Sequence, residues 1–188
     1  MISSNKEFYA QALKEYGISA EGVHWNSKYT QYKRFEILTK LIKKNIQTSS
    51  IVDVGCGFGE YYNYLKNNRK IPSLYMGIDC ESNMIHISRK RFPHLDFFHQ
   101  DILEDKLIIA DYYMCSGALN ILDLKDVTLF IERCFAHVNK AFVFNYLKND
   151  TFTAIKKETI VAICKKLSDN ITIKEGYLDN DFTILMVK

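Results

Sequence analysis

Apolar and polar positions follow two different periods along the chain, and the change of period marks the predicted elements. Apolar residues at helical spacing predict one helix over about 4–16 and a second over about 27–46. After residue 50, short apolar runs typical of buried strands alternate with amphipathic segments typical of helices. The predicted strands are 51–55, 74–79, 95–99, 108–115, 138–145, 171–177 and 181–187, and the helices between them are 59–68, 82–91, 123–136 and 152–166.

Strands that alternate with helices indicate βαβ units and a mostly parallel sheet. The last two strands are joined only by residues 178–180, so this pair must be antiparallel. The pattern therefore predicts an α/β protein with a mixed sheet. We expect two parts, an N-terminal helical extension or lid over 1–47 and a ligand-binding domain over 48–188.

Composition narrows the function classes. With 188 residues, 47% of them hydrophobic, the chain can bury the core of one domain. A net charge of +3 gives no strongly basic nucleic-acid footprint. The five cysteines are widely spaced without a C-x-x-C pair, which disfavours a zinc site or a disulfide framework and favours a cytoplasmic location. No apolar run is long enough to predict a membrane span.

Three glycines at alternate positions carry the main chemical signal. Gly55, Gly57 and Gly59 directly follow the apolar run 51–54, which contains Asp53. Glycine is used where the backbone turns to positive φ or must approach a ligand closely. The helix that follows offers free N–H groups to an anionic group. The pattern favours a nucleotide-like cofactor, and a purely structural strand-to-helix turn is the alternative.

Asp79 ends the second strand, 20 residues after Gly59. An acid at this distance suits the ribose diol of a dinucleotide or of S-adenosylmethionine, although it would also cap the next helix. The spacing G-x-G-x-G differs from the dinucleotide pattern G-x-G-x-x-G, and Glu60 would repel a pyrophosphate at the helix start. A cationic ligand would suit a pocket predicted to contain five acids, Asp53, Glu60, Asp79, Asp101 and Asp111.

Four segments resemble, in order and spacing, the motifs of class I S-adenosylmethionine-dependent methyltransferases. They are 52–59 (VDVGCGFG), 77–85, 99–102 and 111–117. The resemblance covers about 48–188 and implies a Rossmann-like, seven-stranded sheet of order 3-2-1-4-5-7-6 with helices on both faces. Residues 22–28 and 34–36 also resemble a subgroup of small bacterial methyltransferases of unassigned substrate.

The resemblance implies roles for particular cofactor-binding residues. Asp53 would orient the turn or the ammonium group, Asp79 would hold the ribose, and Asp101 would accept from the adenine amine, although Asp101 also suits a surface turn. The other implied positions line the methionine, the adenine or ribose edge, the adenine ring and the methyl-donor region; they are Gly55, Cys56, Gly57 and Gly59, then Cys80 and Met84, then Ile102, then Ser116 and Gly117.

Candidates for the acceptor side lie before the core and after the fourth and fifth strands. They are Trp25, Tyr32, Asn120, Asn145 and Tyr146, with His24 as a candidate catalytic base because it titrates near neutral pH. Simple packing or loop polarity is the alternative for each of them. No metal site and no oligomeric state is predicted.

The predicted function is transfer of a methyl group from S-adenosylmethionine to a small-molecule acceptor. The chain lacks the Asn-Pro-Pro-Tyr type of motif that enzymes methylating nucleic-acid bases often carry, so a protein or tRNA acceptor is less favoured. Two competing hypotheses are a nicotinamide-dependent oxidoreductase and a catalytically silent, methyltransferase-like interaction module.

Overall fold

The fold is a seven-stranded sheet with helices on both faces. A computed structural model describes residues 28–42, 46–149 and 153–188. The strands are β1 (Ser50–Val54), β2 (Leu74–Asp79), β3 (Asp96–His99), β4 (Ala110–Ser116), β5 (Val138–Leu147), β6 (Ile171–Glu175) and β7 (Asp181–Val187). The helices are α1 (Lys28–Leu41), α2 (Glu60–Asn67), α3 (Ser82–Arg91), α4 (Leu124–Ala136) and α5 (Lys157–Leu167), with 3-10 turns at Ile46–Thr48 and Ala118–Ile121.

The strand order is β3-β2-β1-β4-β5-β7-β6, which confirms the predicted topology. Strands β1 to β5 are parallel, whereas β7 pairs antiparallel with both β5 and β6. Because β2 and β4 lie on either side of β1, the strand order reverses at β1. In open α/β sheets, ligands bind beyond the carboxyl ends of the strands at such a point.

Successive strand residues face opposite sides of the sheet, so each face has its own apolar cluster. Helices α1, α2 and α3 contribute to one cluster, which includes Phe35, Leu65 and Ile85. Helices α4 and α5 contribute to the other, which includes Ile131 and Cys164. Together the two clusters hold the ends of the central strands in fixed positions.

Helix α1 buries an unusual face. Its residues at positions i, i+3, i+4 and i+7 are Gln31, Arg34, Phe35 and Leu38, and all four are buried. The helix contacts β4, β5 and β7 as well as α2, so this part of the predicted extension packs on the same sheet as the rest. The boundary at 47/48 stays a prediction, and the helix predicted at 4–16 lies outside the described residues.

The element bounds differ from the sequence prediction at a few places. Helix α1 ends at Leu41 instead of about residue 46, and α5 begins at Lys157 instead of about 152. The 3-10 turn at Ala118–Ile121 was not predicted, because it follows Gly117 without a helical apolar period. Among the described residues, no helix combines the length and hydropathy needed to cross a membrane.

Candidate cofactor and acceptor site

The glycine turn between β1 and α2 has the backbone that the sequence predicts. Gly55, Gly57 and Gly59 have φ values of 72°, 51° and 74°. The N–H groups of Gly55 and Cys56 donate to the Ile78 carbonyl at 2.8 and 3.0 Å. A Cβ atom on Gly55 would lie 2.6 Å from the Cβ of Ala118, so a side chain does not fit here. The turn is thereby fixed against β2 and against the loop that follows β4.

Asp79 connects the glycine turn to the end of β2. Its Oδ2 accepts from the Gly57 N–H at 2.8 Å, and its Oδ1 accepts from the Glu81 N–H at 2.9 Å. Burial raises the pKa of the Asp79 carboxyl, and these two hydrogen bonds oppose the rise. A carboxylate has about four lone-pair sites, so both oxygens retain capacity to accept from a further pair of hydroxyls. The geometry is compatible with the predicted ribose contact.

Asp53 lies beneath the turn and is 3% exposed. Its Oδ2 accepts from the Tyr75 hydroxyl at 2.5 Å. Burial raises the pKa of Asp53 to about 7; the Tyr75 hydrogen bond opposes the rise, and the nearby Asp79 carboxylate adds to it. The observed partner of Asp53 is therefore a tyrosine of β2, and its predicted role toward the turn or an ammonium group stays a prediction.

The residues predicted to surround the adenine follow β2 and β3. These strands pair so that Asp79 lies opposite His99, and the His99 Nε2 is 3.0 Å from the Cys80 carbonyl oxygen. Cys80 is exposed and Met84 is buried. Both segments thus lie side by side at the same edge of the sheet, as adjacent adenine contacts require.

Asp101 forms the surface turn that the sequence also allowed. Its Oδ1 accepts from the Leu103 N–H at 2.8 Å, and its own N–H donates to Asp105. Ile102, the next residue, is buried in the apolar cluster on the α4 and α5 face. A turn of this kind fixes the direction of the carboxylate, and the contact to an adenine amine stays a prediction.

Glu60 does not present a free charge to the turn. Its carboxylate accepts from the Arg91 guanidinium at 2.8 Å, the Tyr32 hydroxyl at 2.7 Å and the Asn63 amide at 2.9 Å. Burial by itself would raise the pKa of Glu60, but these three hydrogen bonds outweigh it and lower the pKa. The repulsion of a pyrophosphate inferred from the sequence is therefore weaker than expected.

Tyr32, a candidate for the acceptor side, is engaged by this Glu60 cluster. Burial, followed by the hydrogen bond to Glu60, raises the pKa of Tyr32 to about 12. The tyrosine therefore stays protonated at neutral pH, and its hydroxyl hydrogen is committed to Glu60. In this position it joins α1 to the first turn of α2.

The prediction that Asp111 belongs to the acidic pocket is wrong. This residue lies at the amino end of β4, where its Oδ2 accepts from the Ser50 N–H at 3.1 Å and forms an ion pair with Lys140 at 3.2 Å. Ser50 begins β1, so Asp111 lies at the edge of the sheet opposite the glycine turn. The predicted strand 108–115 already placed Asp111 in its first half, so the expectation of an acid in the pocket came from the motif alone.

Ser116 and Gly117 end β4 next to the turn. Val54 pairs with Cys115, so Gly55 and Ser116 are the next positions on adjacent strands. Gly117 has a φ of 92° and leads into the 3-10 turn. The Oγ of Ser116 is buried and neither donates nor accepts a hydrogen bond among the residues that the structure describes.

The three acceptor candidates after β4 and β5 occupy different environments. Asn120 is buried, and its Oδ1 accepts from the Leu147 N–H at 3.2 Å, which ties the 3-10 turn to β5. Tyr146 is fully buried against Phe182 on the α4 and α5 face, which favours packing. Asn145 lies opposite Ser116 in the β4–β5 register. His24 and Trp25 lie outside the described residues.

A buried ion pair borders Asn145. The Arg34 guanidinium of α1 donates through Nε and Nη2 to the Asp181 carboxylate of β7, the second contact at 3.0 Å, and both residues are less than 10% exposed. The Asn145 Nδ2 donates to the same carboxylate at 3.5 Å. The contribution of Asp181 was missed by the sequence analysis, because no local pattern links positions 147 residues apart.

Comparisons with known proteins agree with the motif analysis. A family model described as a methyltransferase domain matches residues 51–141. The 235L protein of Invertebrate iridescent virus 6, named as a candidate methyltransferase, is 32% identical over 88 residues. These cover 44% of this chain and 33% of the viral protein, so the match spans about a third of that relative's length.

Solved structures of several proteins share the fold, and two of them show the degree of similarity to this chain. The N-methyltransferase NodS from Bradyrhizobium japonicum WM9, in complex with S-adenosyl-L-homocysteine, has a TM-score of 0.73 at 15% identity, over 95% of this chain and 97% of NodS. The magnesium protoporphyrin IX methyltransferase ChlM from Synechocystis PCC 6803, with bound SAM, has a TM-score of 0.68 at 13% identity, over 85% and 79% of the two chains. At these identities the likeness concerns the fold alone.

Proposed function

We propose that this chain, which carries a methyltransferase domain over residues 51–141 in the fold of class I methyltransferases, binds S-adenosylmethionine at its glycine turn and methylates a small-molecule acceptor. A cytoplasmic location belongs to the proposal and rests on the unpaired cysteines. A protein or tRNA acceptor is less favoured.

The observation that carries the proposal is the connection between the glycine turn and Asp79. The Gly57 N–H donates to Asp79 Oδ2 at 2.8 Å, so the loops after β1 and β2 form one rigid edge. This edge combines a backbone free of side chains with a carboxylate that retains capacity for a diol. Both features suit a nucleoside that carries an amino-acid tail.

The choice of S-adenosylmethionine over a dinucleotide rests on three points. The G-x-G-x-G spacing differs from the dinucleotide pattern, and the family match is to methyltransferases. The half-buried Asp79 carboxylate lies at the turn, where it would favour a cationic ligand over a pyrophosphate. The Glu60 charge, which Arg91 balances, no longer contributes to this choice.

The protein's part in the reaction is alignment and exclusion of water. When bound, the cofactor supplies a methyl group on a sulfonium, which is already a good leaving group. The glycine turn and Asp79 hold the donor, while Ser116 and Asn145 lie at the next strand ends, where an acceptor would enter. Among the described residues we assign no catalytic base, and His24 remains the candidate from the sequence.

The test is calorimetric titration of the purified protein with S-adenosylmethionine, S-adenosylhomocysteine and NAD. We expect both sulfur compounds to bind and NAD to give no heat. Asp79→Ala should weaken their binding by about 100-fold, because two hydrogen bonds to a charged group are lost. Asp169→Ala, the same change at an exposed position, is the matched control and should bind as the wild type does.

The remaining outcomes each favour a different function. Binding of NAD without the sulfur compounds would return the chain to the oxidoreductase hypothesis. If none of the three titrations gave heat of binding, the hypothesis of a catalytically silent interaction module would remain. Circular dichroism of Asp79→Ala checks that the variant keeps its fold, because the Gly57 contact is also structural.

A further inference from the structure

We propose that Asn145 and Ser116 form the floor of the acceptor-binding site and select a neutral amine nitrogen as the methyl acceptor. This inference rests on the proposed function and names its substrate class. It is drawn from two buried polar atoms that lack a hydrogen-bond partner and lie on adjacent strands.

The two residues lie in line with the cofactor turn. Val54 pairs with Cys115, and Ser116 pairs with Asn145, so Gly55, Ser116 and Asn145 follow one another across the sheet. Gly55 comes directly after β1, Ser116 ends β4, and Asn145 lies two residues before the end of β5. Neighbouring strands are about 4.8 Å apart, which puts Asn145 roughly 10 Å from the turn, two strand spacings away. An acceptor above Asn145 would therefore face a methyl group held above Ser116.

Both residues carry an oxygen that is unsatisfied within the described part of the chain. Ser116 Oγ and Asn145 Oδ1 are buried and have no hydrogen-bond partner among residues 28–42, 46–149 and 153–188, and Asn145 is 0% exposed. Buried polar atoms are almost always hydrogen-bonded, because an unmade bond costs the desolvation of the group. Two such atoms at adjacent register positions indicate a place for a ligand with complementary groups.

The hydrogen bond to Asp181 determines which way the Asn145 amide is turned. Its Nδ2 donates to Asp181 Oδ1 at 3.5 Å, and a carboxylate oxygen can only accept. The amide oxygen therefore lies on the other side of the group, away from Asp181. Because Arg34 balances the Asp181 charge, the floor presents a neutral carbonyl oxygen together with a hydroxyl.

This floor favours one class of nucleophile. Asn145 Oδ1 accepts only, so it suits an acceptor with an N–H or O–H and opposes a carboxylate, which brings lone pairs against it. A hydroxyl acceptor would need a base, and the carboxylate of Asp181 is already bound by Arg34. An amine needs no base on the protein, because its ammonium form releases a proton to water before it is bound, and burial favours the neutral form that remains.

The step is balanced without a base on the protein. The amine nitrogen donates one N–H to Asn145 Oδ1 and uses its lone pair to form the bond to the methyl carbon. The carbon–sulfur bond breaks, and its electron pair stays on the sulfur. The methylated ammonium then releases one proton to water.

Two measurements test the class of acceptor. In the first, methyl transfer from S-adenosylmethionine is assayed with two matched series of acceptors. One series is benzylamine, benzyl alcohol and benzoate; the other is hexylamine, hexanol and hexanoate. In the second, the protein saturated with S-adenosylhomocysteine is titrated with the same compounds, and the side-chain amide signal of Asn145 is followed by NMR. We expect transfer to an amine and a shift of the Asn145 signal by amines only.

Variants separate this role from a structural one. Asn145→Leu, which keeps the size, should lower kcat/KM for the amine at least about 10-fold, while the affinity for S-adenosylmethionine stays within about 2-fold of wild type. Its thermal midpoint should equal that of the wild type or exceed it by up to about 4 °C, because an unsatisfied oxygen is removed. Ser116→Ala gives a second, smaller perturbation of the floor, and Asn67→Leu is the same change at an exposed helix end.

The possible failures are distinct. Transfer to carboxylates, absence of transfer to every amine, or full turnover by Asn145→Leu would overturn this inference while cofactor binding stands. Absence of cofactor binding by the wild type would instead overturn the proposed function itself.

Discussion

The buried Asp53 carboxyl makes the stability of this protein depend on pH in a direction opposite to that of a salt-bridged acid. Asp53 has a Tyr75 hydroxyl as its hydrogen-bond donor, and burial raises its pKa from the ordinary value of 3.8 to about 7. Between these two values the folded state binds a proton that the unfolded state does not. The stabilisation is therefore complete below pH 3.8 and is lost as the pH rises through 7.

The size of the effect follows from the linkage relation. A difference of about 3 pKa units between the folded and unfolded states amounts to about 4 kcal/mol once both states are ionised. Between pH 5 and pH 8 the Asp53 contribution to the free energy of unfolding falls by about 3 kcal/mol. Asp53→Asn removes this pH-dependent contribution, because the amide does not titrate. The amide oxygen still accepts the hydrogen bond from Tyr75.

The assay is urea unfolding of the wild type and Asp53→Asn at pH 5, 6, 7 and 8, without cofactor. We expect the variant to gain stability relative to the wild type as the pH rises, by about 3 kcal/mol across this range. Asp79, whose pKa is also raised, is present in both proteins, so the difference reports Asp53 together with its interaction with Asp79. Parallel stability curves for the two proteins would show that Asp53 is ionised throughout and refute this reasoning.

Two further predictions concern packing. Gly55→Ala should destabilise the fold by about 3 kcal/mol, because the backbone is left-handed and the new Cβ would contact Ala118. Gly176→Ala, at a φ of 76° with open space around it, should cost only about 1 kcal/mol. Urea unfolding measures both losses, and the steric explanation would be contradicted if Ala118→Gly did not recover part of the Gly55→Ala loss. Arg34→Met should cost about 3–5 kcal/mol, because it leaves the Asp181 carboxylate buried without its cation. Lys33→Met removes an ion pair whose two side chains are about a third exposed, and it should leave stability nearly unchanged. Equal losses of unfolding free energy in the two Met variants would mean that the Arg34–Asp181 pair contributes no more to stability than the Lys33–Glu36 pair does.

The parts of the fold that the sequence predicts are those set by local patterns. The bounds of β2 and β7 agree with the prediction, and the three positive φ values fall on the predicted glycines. An apolar run that ends in glycine or aspartate defines both the strand and its end. The strand order followed from the family resemblance, because local patterns carry no information on which strands are neighbours.

The parts that the sequence does not predict depend on distant partners. The charge of Glu60 is balanced by Arg91, 31 residues away, and nothing near Glu60 indicates this. Asp111 belongs to a motif associated with the cofactor, yet it occupies the amino end of its strand. Asn145 and Tyr146 are adjacent in the sequence but face opposite sides of the sheet, so only Tyr146 packs in the apolar cluster on the α4 and α5 face.

The Arg34–Asp181 pair also constrains when α1 can reach its final position. The two residues are separated by 147 positions, so nearly the whole chain must be synthesised before the Arg34 guanidinium finds its carboxylate. Until then, docking α1 on the sheet would bury an uncompensated charge, which is strongly unfavourable. We therefore expect helix α1 to complete its docking late, together with or after the pairing of β7 with β5, although α1 precedes every other described element in the chain. The expected order of assembly on the sheet is in this respect the reverse of the order of synthesis.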